Sequence, residues 1–304
     1  MGRPPGDRAR VLAVLSFAPL AAGAPSGVSG GVVGITLLAA VLHAIWNAVA
    51  HGVSDRLVGF ALIGVAYTVV CGVGALVLGP PPPAAWPFVV ASAVMHVIYI
   101  LLLWASYQLG EFSQVYPVAR GTAPLVVAVI EVVLGHALPV LQLVGIVVIS
   151  LGLISLSLDG GGLSRAALPA LGAAVATGIC IAGYTVIDAG AVSTTPVLVY
   201  AAWMFLLQGP VMPLIALLRR GRSIGTQARP VLVAGLGGGV VSLAAYGLVL
   251  VAQTSGATAA VASLRETSIV FGAIIGTVFF KERFGIGRVV AAVVVAVGIG
   301  LVNL

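Results

Sequence analysis

Charged side chains are scarce in this sequence. Only 7% of its 304 residues are Asp, Glu, Lys or Arg, against about 25% in a typical soluble domain. Hydrophobic residues make up 61% of the chain. This composition excludes a soluble globular protein, and it predicts an all-α polytopic membrane protein embedded in a lipid bilayer.

Cysteine and lysine are nearly missing as well. Cys71 and Cys180 are the only cysteines, and both lie in apolar stretches, so we expect buried thiols rather than a disulfide. Lys281 is the only lysine, and without a P-loop motif we expect no ATP binding. No motif with metal-ligand spacing is present, so we expect no metal and no cofactor. The net charge of +6 is spread thinly along the chain, which disfavours nucleic-acid binding.

Long apolar runs separated by short breaks predict the number of membrane spans. A helix needs about 20 apolar residues to cross a bilayer, so ten helices take about 200 residues of the chain. Residues 1–30 contain three arginines ahead of a short apolar run, so we set them apart as a signal-like extension or an over-long start. The ten predicted spans cover residues 31–51, 57–78, 86–107, 113–135, 139–158, 166–188, 195–218, 230–253, 257–280 and 286–304.

Two stretches of the chain resemble each other. Residues 115–135 align with residues 260–280 at a constant separation of 145. We therefore divide the chain into two five-helix halves, residues 31–158 and 166–304. Because five is odd, the halves begin on opposite sides of the membrane, so the repeats are inverted. Inverted repeats around a central site are typical of secondary transporters that work by alternating access.

Three stretches carry a resemblance to a known family: LLAAVLHAIWNAVAHGVSDR at 37–56, YPVARGTAPLVVAVI at 116–130 and SLRETSIVFGAIIGTVFFKERF at 263–284. They resemble the ten-helix EamA-type transporters of the drug/metabolite transporter superfamily. The resemblance implies a multi-pass protein of the cytoplasmic membrane that moves a small organic solute and is not an enzyme. It leaves the substrate open, since members move amino acids, nucleotide precursors, sugars, amines and drugs.

Ionisable residues inside spans are the first candidates for a site, because each costs about 2.5 to 3.5 kcal/mol to insert. Arg120 and Arg265 occupy equivalent places in the two repeats, and Glu266 follows Arg265 directly. We predict these three as charged anchors or coupling groups. Pro117 and Pro124 flank Arg120, so we expect an interrupted helix there that presents Arg120 to an anionic group such as a carboxylate. The alternative is an arginine that binds helix-end carbonyls or extends to the interface.

Polar and aromatic residues share helix faces in three spans. The first span has three such residues at i, i+3 and i+4, the third has two at i and i+3, and the sixth carries a tyrosine between Cys180 and Asp188. Such faces suit a central cavity, although the same residues also bridge packed helices. We predict substrate binding by His43, Trp46, Asn47, His96, Tyr99 and Tyr184.

Two acids near span ends, Glu131 and Asp188, are better interpreted as structural. A proton coupled to transport through Glu266 or His43 is a hypothesis motivated by their burial. Nine Lys and Arg residues lie in the loops after odd-numbered spans or, for Arg288, at the start of the tenth span, and loops after even-numbered spans hold none, which places the odd loops in the cytoplasm. The family resemblance implies cytoplasmic termini instead, so the orientation stays open.

The predicted function is a secondary transporter for a small polar or amphipathic metabolite, either amino-acid-like or drug-like. Its partners are then that organic substrate, the lipid bilayer and a coupled proton. Two other classes remain as alternatives. A membrane-embedded enzyme acting on a lipid-linked substrate would need clustered carboxylates or an activated nucleophile, and the sequence shows neither. The second alternative is a membrane scaffold that transports nothing.

Overall fold

The computed structural model describes residues 28–51, 53, 55–109, 112–157, 167–280 and 286–303. Helices make up the regular structure of these ranges, and they contain no β-strand. The prediction of an all-α protein is therefore confirmed for this part of the chain. Nearly all of the proposed extension at residues 1–30 lies outside the described residues, as do positions 158, 166 and 304, where the two predicted halves end or begin.

The helices follow one another with short connections. In the first half they are α1 (Gly30–His51), α2 (Arg56–Leu78), α3 (Trp86–Leu109), α4 (Phe112–Val133) and α5 (Val140–Ser155). In the second half they are α6 (Leu168–Val192), α7 (Val197–Gln208), α8 (Val211–Arg220), α9 (Ile224–Ala228), α10 (Leu232–Gln253), α11 (Thr258–Arg265), α12 (Ser268–Phe280) and α13 (Ile286–Val302).

Several of these helices are suited to a bilayer. By length and composition, six helical stretches of the described chain can cross a membrane, and α5 and the segment Val289–Val302 are shorter apolar helices. Many large apolar side chains on their outer faces are exposed, as lipid-facing residues are expected to be. The six stretches are Gly30–Val49, Arg56–Leu78, Pro83–Ser106, Val115–Val133, Leu168–Val192 and Val197–Gln253.

The N-terminus of α2 marks one end of the bundle. Asp55 caps this helix, because its Oδ1 accepts a hydrogen bond from the backbone N–H of Leu57 at 3.0 Å. Its other oxygen accepts from Nη2 of Arg220 at 2.7 Å, which ties α2 to the end of α8. Beside this pair, the guanidinium of Arg219 lies over the ring of Trp104, 4.6 Å from its centroid. We call this side the arginine end.

The C-terminus of α2 marks the opposite end. Gly79 ends the helix with a φ of 76°, a conformation that only glycine adopts without strain. Its carbonyl accepts a hydrogen bond from Nε1 of Trp203 at 2.8 Å, and the Trp203 ring packs edge-to-face against Trp86. These contacts join the end of α2 to α7 and to the start of α3. We call this side the tryptophan end.

Glycines allow the helices to pack at short distances. A Cβ atom added at Gly145 of α5 would lie 2.6 Å from the carbonyl oxygen of Gly298 in α13. In the same way, a Cβ at Gly178 of α6 would lie 2.7 Å from the carbonyl oxygen of Ala119 in α4. Close backbone approach through small residues is the usual way in which membrane helices gain packing energy, since lipid is as apolar as a leucine side chain.

Gly239 and Gly237 on α10 offer a matched test of this packing. A Cβ at Gly239 would lie 2.6 Å from Ala66 Cβ and 3.1 Å from the Ile63 backbone, whereas nothing lies within 4 Å of one at Gly237. We expect Gly239→Ala to lower the melting temperature of the purified protein, because overpacking costs about 1–3 kcal/mol. Gly237→Ala should leave it unchanged or raise it. Equal melting temperatures for the two variants would contradict the close contact of α2 with α10.

Candidate functional site

A cavity of about 90 Å³ lies inside the bundle, between its middle and the arginine end. Residues of α1, α2, α3, α6, α7, α8 and α10 form its wall. Five of the six residues predicted to bind substrate line it: His43, Trp46, His96, Tyr99 and Tyr184. Sequence reasoning missed six further lining residues that carry polar or aromatic groups: Phe60, Tyr67, Phe205, Gln208, Ser242 and Tyr246.

His43 presents a defined hydrogen-bonding edge. The indole Nε1 of Trp46 lies 3.2 Å from His43 Nδ1, and the two rings meet edge-to-face. Because indole nitrogen only donates, Nδ1 accepts and the imidazole proton is on Nε2. Asn47, the sixth predicted residue, is not part of the cavity wall: its Nδ2 donates to the carbonyl oxygen of His43 at 2.7 Å on the same helix. Asn47 therefore supports the backbone of α1.

Another part of the wall is built from aromatic rings packed against one another. His96 stacks on Tyr184 with ring centroids 3.9 Å apart, and Tyr246 meets the His96 ring edge-to-face at 5.3 Å. Tyr99 packs edge-to-face on Tyr184 at 5.7 Å. On α3, the carbonyl oxygen of Ser92 lies 2.9 Å from Nδ1 of His96, so that nitrogen carries a proton and donates. This arrangement leaves a largely apolar surface with a few fixed polar groups.

A cluster of buried charges, none of which is part of the cavity wall, interacts electrostatically with residues of that wall. Arg120 Nε on α4 is 2.8 Å from Glu266 Oε2, and its Nη2 donates to the hydroxyl of Ser268 at 3.2 Å. The Nε–H bond is not directed along the contact, so this is an ion pair rather than a well-aligned hydrogen bond. Both side chains are buried, and the pair connects the two halves of the chain. Arg120 thus already has an anionic partner within the protein.

Arg265 is differently placed. Its Nε is 3.9 Å from Glu266 Oε1, and its buried Nε and Nη2 have no hydrogen-bond partner among the described residues. Two guanidinium groups therefore share one carboxylate, which leaves an excess positive charge in the interior. The charge of Arg265 acts on residues of the cavity wall, namely His43, His96, Tyr184 and Tyr246.

The interrupted helix is found in the second half rather than in the first. The prediction of a break around Arg120 is wrong: α4 continues as helix through Pro117 and Pro124. The ninth predicted span breaks instead, between α11 and α12 at Glu266 and Thr267. The Thr267 hydroxyl donates to the carbonyl oxygen of Leu264 at 2.8 Å, so a side chain competes there with the helical backbone bonds.

The seventh predicted span is also broken, at Gly209 and Pro210 between α7 and α8. The cavity wall includes Gly209 itself and the neighbouring Gln208 and Met212. A Cβ at Gly64 of α2 would lie 2.5 Å from the carbonyl oxygen of Gly209, so the two backbones touch at this break. The sequence contains a local signal for it, because a proline follows the glycine, but the length of the apolar run obscured that signal.

Sequence reasoning also underestimated Asp188. Its side chain is fully buried, its Oδ1 accepts a hydrogen bond from the Tyr200 hydroxyl at 2.6 Å, and its Oδ2 accepts from the Tyr246 hydroxyl. The sixth span was predicted to end at Asp188, whereas α6 continues to Val192. Glu131, by contrast, sits near the end of α4 and pairs with His136 Nδ1 at 2.7 Å.

The described chain is a multi-pass helical membrane protein with an internal cavity. Residues 168–304 match the model of the EamA-like transporter family. The resemblance to EamA-type transporters is therefore confirmed over the second half of the chain, and transporter is the class that the family indicates. No curated protein sequence matches the chain.

One solved structure, described only as the crystal structure of a protein, shares the fold. It aligns over 89% of this chain and 94% of its own, with a TM-score of 0.70 and 18% sequence identity. At that identity the likeness establishes the fold alone. The fold therefore extends beyond the matched family segment into the first half of the chain.

The shared carboxylate predicts opposite effects for two substitutions. Glu266→Gln leaves two buried guanidinium groups without a counter-ion, and removing one partner of a buried pair costs about 3–5 kcal/mol. Arg265→Gln removes the excess charge and keeps the pair of Arg120 with Glu266. In thermal melting of the purified protein we expect a large loss for Glu266→Gln and no loss, or a gain, for Arg265→Gln. Equal losses would mean that the fold itself requires the charge of Arg265.

Proposed function

We propose that this protein is a secondary transporter of the cytoplasmic membrane for small organic acids with an apolar body, amino acids included. The substrate occupies the aromatic cavity, and alternating access at the arginine end and the tryptophan end carries it across the bilayer. The observation that carries the proposal is the buried, incompletely paired guanidinium of Arg265 beside that cavity.

The excess charge selects the class of substrate. An unpaired charge in the interior is costly. The attraction between this guanidinium and an anionic group of the substrate is therefore stronger there than it would be in water. A carboxylate fits best, because Arg265 has two unused donors, Nε and Nη2, and a guanidinium binds a carboxylate through two parallel hydrogen bonds. A cationic solute would instead be repelled by the same charge.

The cavity wall selects the rest of the molecule. Tyr184, His96 and Tyr246 present ring faces and edges, and Trp46 lies across from them. Aromatic walls favour a flat or branched apolar body, while a few hydroxyl and imidazole groups orient it. The Nε2–H of His43 is a donor available for a second oxygen of the substrate.

The predicted inverted repeats are consistent with the way in which the helices pair. If the first span corresponds to the sixth and the third to the eighth, then α1 corresponds to α6 and α3 to α10. A contact between α3 and α6 should then be matched by a contact between α10 and α1, and both pairs do pack closely. The same relation maps the pair α5 and α13 onto itself, and there Gly145 and Gly298 meet. We therefore propose ten spans in two inverted halves, with the breaks at α7/α8 and α11/α12 inside single spans.

Phenylalanine and phenylalaninamide test the substrate class, because they share the apolar body and amino group and differ in the carboxylate. We expect phenylalanine to raise the melting temperature of the purified protein and the amide to leave it unchanged. A ligand at 100 times its Kd stabilises by about 2.7 kcal/mol, which is readily measured. Acetate, butyrate and phenylacetate, each with its amide, extend the series to other apolar bodies.

The matched controls are two arginine variants. Arg265→Gln should lose the thermal shift, and Arg222→Gln, at an exposed position of the loop after α8, should keep it. Equal stabilisation by carboxylates and amides would contradict the proposed substrate class. Phenylalanine flux in proteoliposomes then separates two classes of protein. A transporter gives a saturable flux, whereas a membrane scaffold gives no flux.

A further inference from the structure

Three buried acids of the described chain differ in their partners. Glu266 pairs with Arg120, and Glu131 pairs with His136. Among the described residues, no arginine contacts Asp188, and its hydrogen bonds come from the neutral hydroxyls of Tyr200 and Tyr246. Its carboxylate is nevertheless fully buried. A buried carboxylate without a cation is the form that gains most from taking up a proton.

The surroundings of Asp188 contain hydroxyl groups and one imidazole. From α3, Ser92 and His96 face it, and its own helix presents Tyr184 one turn earlier. Tyr184 interacts electrostatically with three charged residues on α4 and at the α11/α12 break: Arg120, Arg265 and Glu266. Asp188 itself interacts with four polar side chains: Ser92, His96, Tyr200 and Tyr246.

We propose that Asp188 binds the proton that drives transport, a proposal that rests on the transporter function proposed above. The two other candidates for this role are already engaged. Glu266 Oε2 already lies 2.8 Å from Nε of Arg120, so this carboxyl group has a cationic partner. His43 would have to give up the hydrogen bond that its Nδ1 accepts from Trp46 before it takes a second proton.

A proton on Asp188 changes the contacts at the tryptophan end. In the ionised form both oxygens accept, one from Tyr200 on α7 and one from Tyr246 on α10. When a proton from water binds to one oxygen, that oxygen becomes a donor, and the tyrosine hydroxyl facing it has to rotate to accept. This change weakens the hydrogen-bonded connection of α6 to α7 and α10, which lies next to the contact between Trp86 and Trp203. Release of the proton to water restores it.

The cavity couples this proton to the substrate. Tyr246 donates to Asp188 and also lines the cavity, where it contacts His96. A carboxylate bound beside Arg265 adds a negative charge to the interior that also holds Asp188, and like charges in a low-dielectric interior repel. Protonation of Asp188 removes that repulsion. Substrate and proton then bind together and move in the same direction.

Infrared difference spectroscopy tests the proton site without a substrate. The full-length protein in lipid is taken from alkaline to acidic pH, and the C=O stretch of a protonated carboxyl group is recorded. We expect the wild type to show this band, Asp188→Asn to lack it, and Glu131→Gln, which removes a buried acid elsewhere, to retain it. An unchanged band in Asp188→Asn would overturn the proposal.

Two tyrosine variants cover the case in which Asp188→Asn fails to fold. Tyr200→Phe and Tyr246→Phe keep the carboxyl group and each remove one hydrogen bond, so the band is expected to shift in frequency. An unshifted band in both would assign the proton elsewhere and overturn the proposal.

A transport measurement separates this inference from the proposed function. In proteoliposomes, a pH gradient should drive accumulation of labelled phenylalanine in the wild type and in Glu131→Gln, and accumulation should fall to the level without a gradient in Asp188→Asn. Gradient-driven accumulation by Asp188→Asn would refute the coupling role. If the wild type transports no phenylalanine, and the infrared band is present in the wild type but absent from Asp188→Asn, the substrate class alone is refuted. The proton site is then supported.

Discussion

Two buried guanidinium groups share one carboxylate in the interior of this bundle, and the other features of the site follow from that imbalance. Arg120 and Glu266 form the pair, and Arg265 carries the charge that remains. A buried ion pair contributes little net stability after desolvation, and an additional buried cation contributes less still. Charges that the fold does not need are most simply explained by what they bind.

The position of this cluster depends on a helix that breaks in only one half of the chain. Arg120 projects from α4, which stays helical through two prolines. Arg265 and Glu266 lie where α11 ends and α12 begins, so the second half supplies both the counter-ion and the free cation. The proposed relation between the two halves therefore does not extend to their local geometry at this point. This difference places the charge next to the aromatic wall of α3, α6 and α10.

The aromatic wall joins the charge cluster to Asp188. Tyr184 is near Arg265 on one side, and it stacks on His96, which faces Asp188. Tyr246 completes the connection, since it lines the cavity and donates to Asp188. A substrate in the cavity therefore contacts side chains that also hold the tryptophan end together. In the proposed mechanism, binding and gating therefore use the same few residues.

Local sequence signals predicted most of the helices and five residues of the cavity wall. The predicted span 57–78 is α2 to within one residue, and His43 and Trp46 followed from i, i+3 spacing on one face. Apolar run length and helical periodicity are properties of neighbouring residues, so a single sequence reveals them.

Local sequence signals did not predict which residues pair over long distances along the chain. Arg120 and Glu266 are distant along the chain, and nothing in either segment marks the other as its partner. Asp188 was misplaced for a different reason: an acid was taken as the end of an apolar run, although α6 continues past it to Val192. A buried acid satisfied by tyrosines from two other helices needs no local signature.

We propose that Arg265 binds the carboxylate of the substrate, and a crystal or cryo-EM structure with phenylalanine bound is the decisive measurement. We expect the carboxylate within hydrogen-bonding distance of Arg265 Nε and Nη2, the side chain of phenylalanine against Tyr184 and His96, and the pair of Arg120 with Glu266 intact. A bound phenylalanine whose carboxylate lies away from Arg265, or an Arg265 that pairs with another protein group in that complex, would contradict it.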